Sequence, residues 1–415
     1  MTIDPRTIQS IQNCASEIFD ELVQIRRDLH QHPELSGHEE WTTHYLAGKL
    51  NQIGLDVHTR LGEYGLIADL TTDPAKASVA LRVDIDALPI QESNNCDYRS
   101  KIPGLMHACG HDVHSAIGVG TAIILTNLAT KLNGNVRFIF QPEEEEISGA
   151  LKMIHAGALK KPTPNAILGI HVAPIPVGNI ALTEGLFLAG FDHYLVSLIP
   201  NQGCNKTLNA LDHVAEKACR MILGFNQWHL PQNWKEEQAL WERMQEGYAD
   251  LQNFIIYDAS LDDEQPAIWR GQFGLGIKTA NTHLRRIAIG RVRAYLNTLC
   301  RLTHTRYQIE PMGTMPDMIN DCHLVRSTRA VLAQAIGSNH IVQLKAAFPF
   351  NCEDFAFYTK YIPGAMYWLG GANPAEDKFA MLHTPNFDVD ERCFLTGTIG
   401  MAALIIDTLK GVKTT

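Results

Sequence analysis

The chain lacks several features that would assign it to common functional classes. It has no run of roughly 18 or more apolar residues, so no membrane-spanning helix is expected. Basic residues are not in excess, because 35 Lys and Arg stand against 45 Asp and Glu and the formal net charge is −10. Nucleic acid prefers a basic surface and is therefore not the expected partner.

Neither a secretory leader nor a disulfide framework is expected from the sequence. Residues 1–6 have neither the basic region nor the apolar core of a signal peptide. The nine cysteines are an odd number without regular spacing, which favours reduced thiols. The sequence therefore predicts a cytoplasmic protein.

The apolar segments that are present alternate between two lengths. Short runs at residues 79–84, 136–140 and 166–170 predict buried strands, and longer segments at 115–132 and 149–159 predict helices between them. Strands that alternate with helices are typical of an α/β fold with a mainly parallel sheet flanked by helices.

The middle of the chain follows another pattern. A strand at 194–198, a helix at 210–223 and a strand at 307–310 predict a small four-stranded sheet with helices. At 415 residues the chain exceeds what one core usually organises. We therefore predict a catalytic domain made of residues 1–186 and 315–415, interrupted by an inserted α+β lid domain at 187–314. Within the insert, residues 227–251 carry three tryptophans and many charges, which favours an exposed helix or insertion.

Side chains that can bind metals stand at the ends of the predicted strands. They are Asp84 and Asp86 after the first strand, Cys109 and His111 before the following helix, the run 141–146 after the second strand, and His171 after the third. Each has an ordinary explanation when taken alone, such as a buried thiol, a solvated acidic turn or a core histidine. Ligands of open α/β sheets bind at the carboxyl ends of strands, so these groups are expected to converge. Together they favour a divalent metal centre used for hydrolysis.

Several motifs carry a resemblance to a known family. They are the runs at residues 26–34, 82–89, 107–114, 141–145, 169–172, 353–355 and 383–387. In this order they resemble the metal-dependent amidohydrolases that include hippurate hydrolase and the plant hydrolases of auxin–amino acid conjugates. These enzymes belong to the wider aminoacylase and carboxypeptidase family of metallopeptidases.

The resemblance implies a site and a reaction. It implies two divalent ions (zinc, manganese, cobalt or nickel) held by Cys109, His111, Glu145, His171 and His383. It also implies Glu144 as the general base, with Asp86 orienting a ligand imidazole. Two divalent ions against one thiolate and one carboxylate leave positive charge, which favours a small amide substrate that carries a carboxylate. The expected reaction is hydrolysis of N-acyl amino acids or similar conjugates.

The inserted segment departs from the family pattern. Family members have a glycine-rich turn that ends in a histidine, which reaches the partner subunit's active site and steadies the oxyanion. The corresponding stretch here, residues 198–205, has no histidine, and His193 and His213 lie off the motif. Residues 274–281 are expected to form the late lid strand. The resemblance implies a homodimer through the lid. A dipeptidase or carboxypeptidase, and a catalytically degenerate metal-binding homologue with a regulatory role, remain alternatives.

Overall fold

The computed structural model describes residues 3–203, 207–261 and 271–411. The helices in these ranges are α1 (Pro5–Glu17), α2 (Phe19–Gln31), α3 (Glu40–Gln52), α4 (His111–Asn127), α5 (Gly149–Ala156), α6 (Leu208–Leu223), α7 (Trp234–Glu246), α8 (Thr282–Thr303), α9 (Cys322–Ile336) and α10 (Cys393–Gly411). The strands are β1 (Asp56–Leu61), β2 (Gly65–Leu70), β3 (Ser78–Asp84), β4 (Asn135–Gln141), β5 (Ala166–Pro176), β6 (Ile180–Thr183), β7 (Gly185–Leu188), β8 (Gly190–Pro200), β9 (Ile255–Ser260), β10 (Gln272–Thr279), β11 (Thr305–Met315), β12 (Met318–Asn320), β13 (Ile341–Leu344) and β14 (Gly364–Ala372).

The larger sheet has eight strands in the order β1-β2-β4-β3-β5-β14-β6-β13. Its central strands β4, β3, β5 and β14 are parallel, whereas β1 and β2 add an antiparallel edge. Every residue of β3 and β4 is buried, because helices cover both faces of the sheet. Val79, Leu81 and Val83 join the core on one face and Ala80 joins the core on the other, as strand alternation requires. The predicted α/β class with a mixed, mainly parallel sheet is confirmed.

Helix α10 lies inside this core. It is long and apolar enough to cross a membrane by length and composition alone, and 83% of its most apolar window is buried. It packs against α4, α9 and the large sheet. Core helices of soluble proteins show the same combination, so this helix is weak evidence for a membrane span.

The smaller sheet has four antiparallel strands in the order β11-β8-β10-β9. Helices α6 and α8 pack on it around a separate apolar core. The predicted four-stranded sheet is present, with the segment at 307–310 inside the edge strand β11. The domain boundaries at 186/187 and 314/315 stay a prediction. Of the stretch 198–205, residues 204 and 205 lie outside the described residues.

Two predicted helices differ from the structure. The apolar spacing of residues 8–29 predicts one helix, but the chain forms α1 and α2, which meet at Ile18. The N–H of Ile18 donates to the carbonyl of Cys14, and the carbonyl of Ile18 accepts from the N–H of Leu22. Because these bonds are helical in spacing, the apolar residues keep a helical period across the break. The segment at 227–251 contains the helix α7, but this helix is not simply exposed. Its face formed by Leu240, Trp241 and Met244 is buried.

Candidate metal centre

The loop before α4 sets the direction of two side chains. Cys109 precedes Gly110, and α4 begins at His111. Gly110 has φ of +88°, and a Cβ atom there would collide with the side chain of Val172. Glycine is therefore required at this turn, which brings the thiol and the imidazole to the same end of the sheet.

The thiol of Cys109 meets two histidines from distant parts of the chain. Its Sγ atom lies 3.4 Å from His171 Nε2 and 3.2 Å from His383 Nε2. The backbone N–H of His383 donates to the carbonyl of Ala108 at 2.8 Å, which holds the C-terminal loop against this turn. Burial and the nearby carboxylates raise the pKa of Cys109 well above its usual value, so a bound cation is needed to form the thiolate.

The imidazoles of His111 and His171 each present one nitrogen to the site. His111 Nδ1 donates to the backbone carbonyl of Asp86 at 2.9 Å and lies 3.1 Å from its Oδ1. His171 Nδ1 donates to the carbonyl of Val172 at 2.7 Å. Both Nε2 atoms therefore point inward, and His111 Nε2 is buried without a hydrogen-bond partner. Burial lowers the pKa of His171 well below its usual value, which keeps this ring neutral.

His111 lies in a strongly negative environment. Burial lowers its pKa, but Asp84 and Asp86 outweigh that effect and raise the pKa to about 10. The same field that favours a proton on Nε2 favours a metal cation in its place. The site is therefore built to hold positive charge.

Three consecutive glutamates point in different directions. Glu143 has φ of +55° and forms an ion pair with Lys152 at 2.7 Å, away from the centre. Glu145 places Oε1 3.4 Å from His383 Nε2 and 3.8 Å from His111 Nε2, and this buried atom accepts no hydrogen bond. Glu144 lies between them, with its Oε2 4.0 Å from His111 Nε2.

The pKa of Glu144 is raised well above its usual value by burial and by Glu353 and Glu145. Asp86 behaves differently. Its Oδ2 accepts hydrogen bonds from Ser36 Oγ at 2.7 Å and from the Glu145 N–H at 3.0 Å. Burial raises the pKa of Asp86, but its hydrogen bonds, above all that from His111, bring it below its usual value. Asp86 is thus a fixed carboxylate, whereas Glu144 is a carboxyl that holds a proton readily.

A buried arginine stabilises the acidic groups behind the centre. Arg82 contacts Asp84 at 2.7 Å, Glu353 at 3.1 Å and Asp354 at 2.9 Å. Asp84 also accepts a hydrogen bond from His114 Nδ1 at 2.6 Å. Because His114 Nε2 accepts the backbone N–H of Val172 at 2.8 Å, both of its ring nitrogens are occupied. His114 and Asp84 lie close enough to His111 to hold an ion, but their bonds give them a supporting part.

The residues present fit a pair of divalent ions. Two groups of three possible ligands share the thiol of Cys109. One group adds His111 and His171, and the other adds Glu145 and His383. Within each group the ligand atoms lie within 4.8 Å of one another. Ligands bonded to one tetrahedral zinc lie about 3.3–3.8 Å apart, and the two S···N distances are 3.2 and 3.4 Å. The buried, unpartnered atoms His111 Nε2 and Glu145 Oε1 would be costly without a cation to bind. The seven predicted site residues therefore lie together, while the role of each stays a prediction.

The cleft at this centre, about 200 Å³, includes residues that the sequence did not single out. Lys278, on β10 of the smaller sheet, lines it and donates from Nζ to the carbonyl of Phe350 at 2.6 Å. Asn351, Cys352 and Trp368 also line it. The predicted late lid strand at 274–281 contains Lys278, but nothing in the sequence indicates that this residue reaches the centre. Both sheets thus contribute to one cleft.

Comparisons with known proteins agree with this geometry. The sequence profile of peptidase family M20/M25/M40 matches residues 80–407. An N-acetylcysteine deacetylase of Bacillus subtilis is 32% identical over 397 residues, which cover 94% of this chain and 98% of that protein. An IAA-amino acid hydrolase of Arabidopsis thaliana is 31% identical over 394 residues, which cover 94% of this chain and 86% of that protein. The crystal structure of a Bacillus subtilis dinuclear metal binding peptidase of the M20 family superposes with a TM-score of 0.71 at 27% identity, covering 96% of this chain and 99% of that one.

Proposed function

Because this chain belongs to peptidase family M20/M25/M40, we propose that it cleaves the amide bond of N-acyl amino acids or similar small conjugates. It is a metal-dependent amidohydrolase, and its centre offers candidate sites for two divalent ions. The observation that carries the proposal is the meeting of Cys109 with His171 and His383 beside Glu144 and Glu145.

The proposed mechanism assigns a part to each group. Cys109, His111, Glu145, His171 and His383 hold the ions. A divalent ion held by these residues would lower the pKa of a water molecule and would polarise the amide carbonyl. Glu144 would take a proton from the attacking water and deliver it to the leaving amine. Asp86 fixes the ring of His111 through Nδ1.

Lys278 supports a substrate that carries a carboxylate. Its ammonium lines the cleft and bonds to a neutral carbonyl, and no carboxylate of the described residues forms an ion pair with it. A substrate carboxylate within reach would make a charge-assisted hydrogen bond with it. We assign Lys278 to the carboxylate of the amino acid.

The homodimer and the cytoplasmic location belong to the same proposal. Within the described residues, the edge strand β11 of the smaller sheet has a neighbouring strand on one side only, so its other side can pair with a second copy. The edge strand β9 is partly covered, because the side chain of Asn226 bonds both the N–H and the carbonyl of Tyr257. The eight described cysteines are all unpaired, as expected in a reducing compartment. Sedimentation of the purified protein tests the dimer, and a molecular mass equal to one chain at micromolar concentration contradicts it.

The test of function is a substrate panel. N-acetyl amino acids, N-acyl amino acids with larger acyl groups and dipeptides are incubated with protein loaded with zinc, manganese, cobalt or nickel, and amine release is measured. We expect metal-dependent cleavage of N-acyl amino acids, loss of activity with a chelator and recovery when metal returns. Preference for dipeptides indicates a dipeptidase. Tight metal binding without cleavage of any amide indicates the degenerate homologue and overturns the proposal.

A further inference from the structure

The insertion at residues 227–251 forms one wall of a second cavity beside the metal centre. This cavity has a volume of about 210 Å³. Its apolar lining comes from Leu230, Pro231 and Trp241 of the insertion together with Phe348, Trp368 and Leu382. The insertion therefore adds a surface to the cleft.

The part of this wall that belongs to α7 is held against the large sheet. Gln238 Nε2 donates to the carbonyl of Pro174 at 2.9 Å, and the Lys345 N–H donates to the carbonyl of Met244 at 2.9 Å. Trp241 is 2% exposed, and its Nε1 donates to Glu237 Oε1 at 2.9 Å. Because this part of the wall is already ordered, a ligand does not lose free energy by ordering it on binding, and the wall can select the ligand by its shape.

The second cavity adjoins the metal centre. Asn351, Trp368 and His383 line both spaces. The ring of Trp368 lies 5.5 Å from the ring of His171 and 5.6 Å from the ring of Trp241, centroid to centroid. A molecule bound at the metal centre can therefore extend along Trp368 into the cavity.

The size and charge of the cavity restrict what enters it. An apolar cavity of about 150 Å³ holds a benzene molecule, so the space here admits one aromatic ring or a branched alkyl chain. Glu237 lines the cavity and is 5% exposed, which disfavours a second carboxylate there. Lys278 lines the metal cleft but not this cavity. The apolar cavity is therefore separate from the place proposed for the substrate carboxylate.

We propose that this cavity, built by the insertion, binds the acyl group of the substrate and selects aromatic or branched apolar acyl groups over acetyl, with Leu230 and Trp241 as specificity-determining residues. The proposal rests on the amidohydrolase function. It adds the chemical class of the acyl group and the element that recognises it.

The test compares N-phenylacetyl-alanine with N-acetyl-alanine. Wild type is expected to show a kcat/KM at least about tenfold higher for the phenylacetyl substrate, because burial of a ring far outweighs burial of a methyl group. Leu230 is 54% exposed, so Leu230→Ala is not expected to disturb folding. We expect Leu230→Ala to lower this ratio about fivefold, mainly through a higher KM for the phenylacetyl substrate.

The matched control is Leu302→Ala on α8, which truncates a leucine that is 75% exposed and lies outside the cavity. It should keep the wild-type ratio. A wild-type preference for acetyl, or a ratio that Leu230→Ala leaves unchanged, overturns the proposal.

A binding measurement separates failure of this inference from failure of the function. Phenylacetate and acetate are titrated into zinc-loaded wild type and Leu230→Ala by calorimetry. If neither amide is cleaved, the proposed function fails, but phenylacetate should still bind at least about tenfold more tightly than acetate, a difference of about 1.4 kcal/mol. Leu230→Ala should remove most of that difference. Equal affinities overturn the cavity assignment whether or not the amides are cleaved.

Discussion

Replacement of Glu144 by glutamine should remove catalysis and leave the fold intact. Glutamine has the same shape but cannot accept the proton of the attacking water. A positioned general acid–base group contributes about 10²–10⁴ in rate, or about 2.7–5.5 kcal/mol. We therefore expect Glu144→Gln to lower kcat by that factor with little change in KM.

The structure predicts that the same substitution stabilises the metal-free protein. Glu144 is buried next to Glu353 and Glu145, and these surroundings raise its pKa well above its usual value. A carboxyl with a raised pKa in the folded state destabilises the fold at any pH above its unfolded pKa, because the folded state must keep a proton or bury a charge. Glutamine removes this cost, so the Tm at pH 7 should rise or stay equal while activity is lost. Such an exchange of stability for activity marks a functional residue.

The neighbouring glutamate supplies the control. Glu143 pairs with Lys152, which is 40% exposed, and lies outside the ligand groups. Glu143→Gln should retain activity within a few-fold and lower the free energy of unfolding, because Glu143 is buried and its carboxylate also accepts a hydrogen bond from Ser148 Oγ. Steady-state kinetics, thermal unfolding and metal analysis are measured on both variants. Equal kcat values for Glu144→Gln and Glu143→Gln would refute the general-base assignment. Loss of metal from Glu144→Gln would make this residue a ligand instead.

Three further predictions follow from other parts of the centre. Gly110→Ala should weaken zinc binding at least about tenfold, because a Cβ atom there collides with Val172. The control is Gly104→Ala, which should bind zinc normally, because Gly104 also has a positive φ but open space around it. Equal zinc affinities of the two variants contradict the steric argument. Burial lowers the pKa of His107 to about 4, so the unfolded state takes up a proton that the folded state resists as the pH falls from 6.5 towards 4; this lowers the free energy of unfolding by roughly 3 kcal/mol in all. The free energy of unfolding is measured with denaturant at several pH values, and His107→Leu should reduce its decline at low pH. His58→Leu, at an exposed position, should leave the decline unchanged. Equal declines in the two variants contradict the prediction. Lys278→Met should raise KM about tenfold for an N-acetyl amino acid but not for its C-terminal amide; an equal rise for both excludes the carboxylate contact.

Two of the predicted site residues could be located from the sequence because they follow strands that are buried on both faces. Strands β3 and β4 appear as continuous apolar runs, so the positions of Asp86 and Glu145 follow from where those runs stop. The prediction that His171 follows the third strand is wrong, because β5 continues to Pro176 and His171 lies inside it. The contact between Cys109 and His383 spans 274 positions. Only the resemblance, not local periodicity, could place these two residues together.

The parts that were not predicted depend on tertiary packing. Strand β1 is largely exposed and lacks an apolar alternation, so it gives no strand signal. The charges of helix α7 favour an exposed helix, yet Glu237 is buried. Its carboxylate accepts a hydrogen bond from Trp241 Nε1, which offsets part of the cost of burial. Lys278 reaches the centre only because the smaller sheet packs beside the large one, which no local pattern encodes.

The most direct measurement is a crystal structure of the zinc-loaded protein with anomalous diffraction recorded at the zinc edge. The predicted result is two anomalous peaks beside the thiol of Cys109, one bonded to His171 and the other to His383, with Glu145 and His111 completing the coordination. A chain that takes up no zinc at this centre, or binds it only at other residues, would contradict the account.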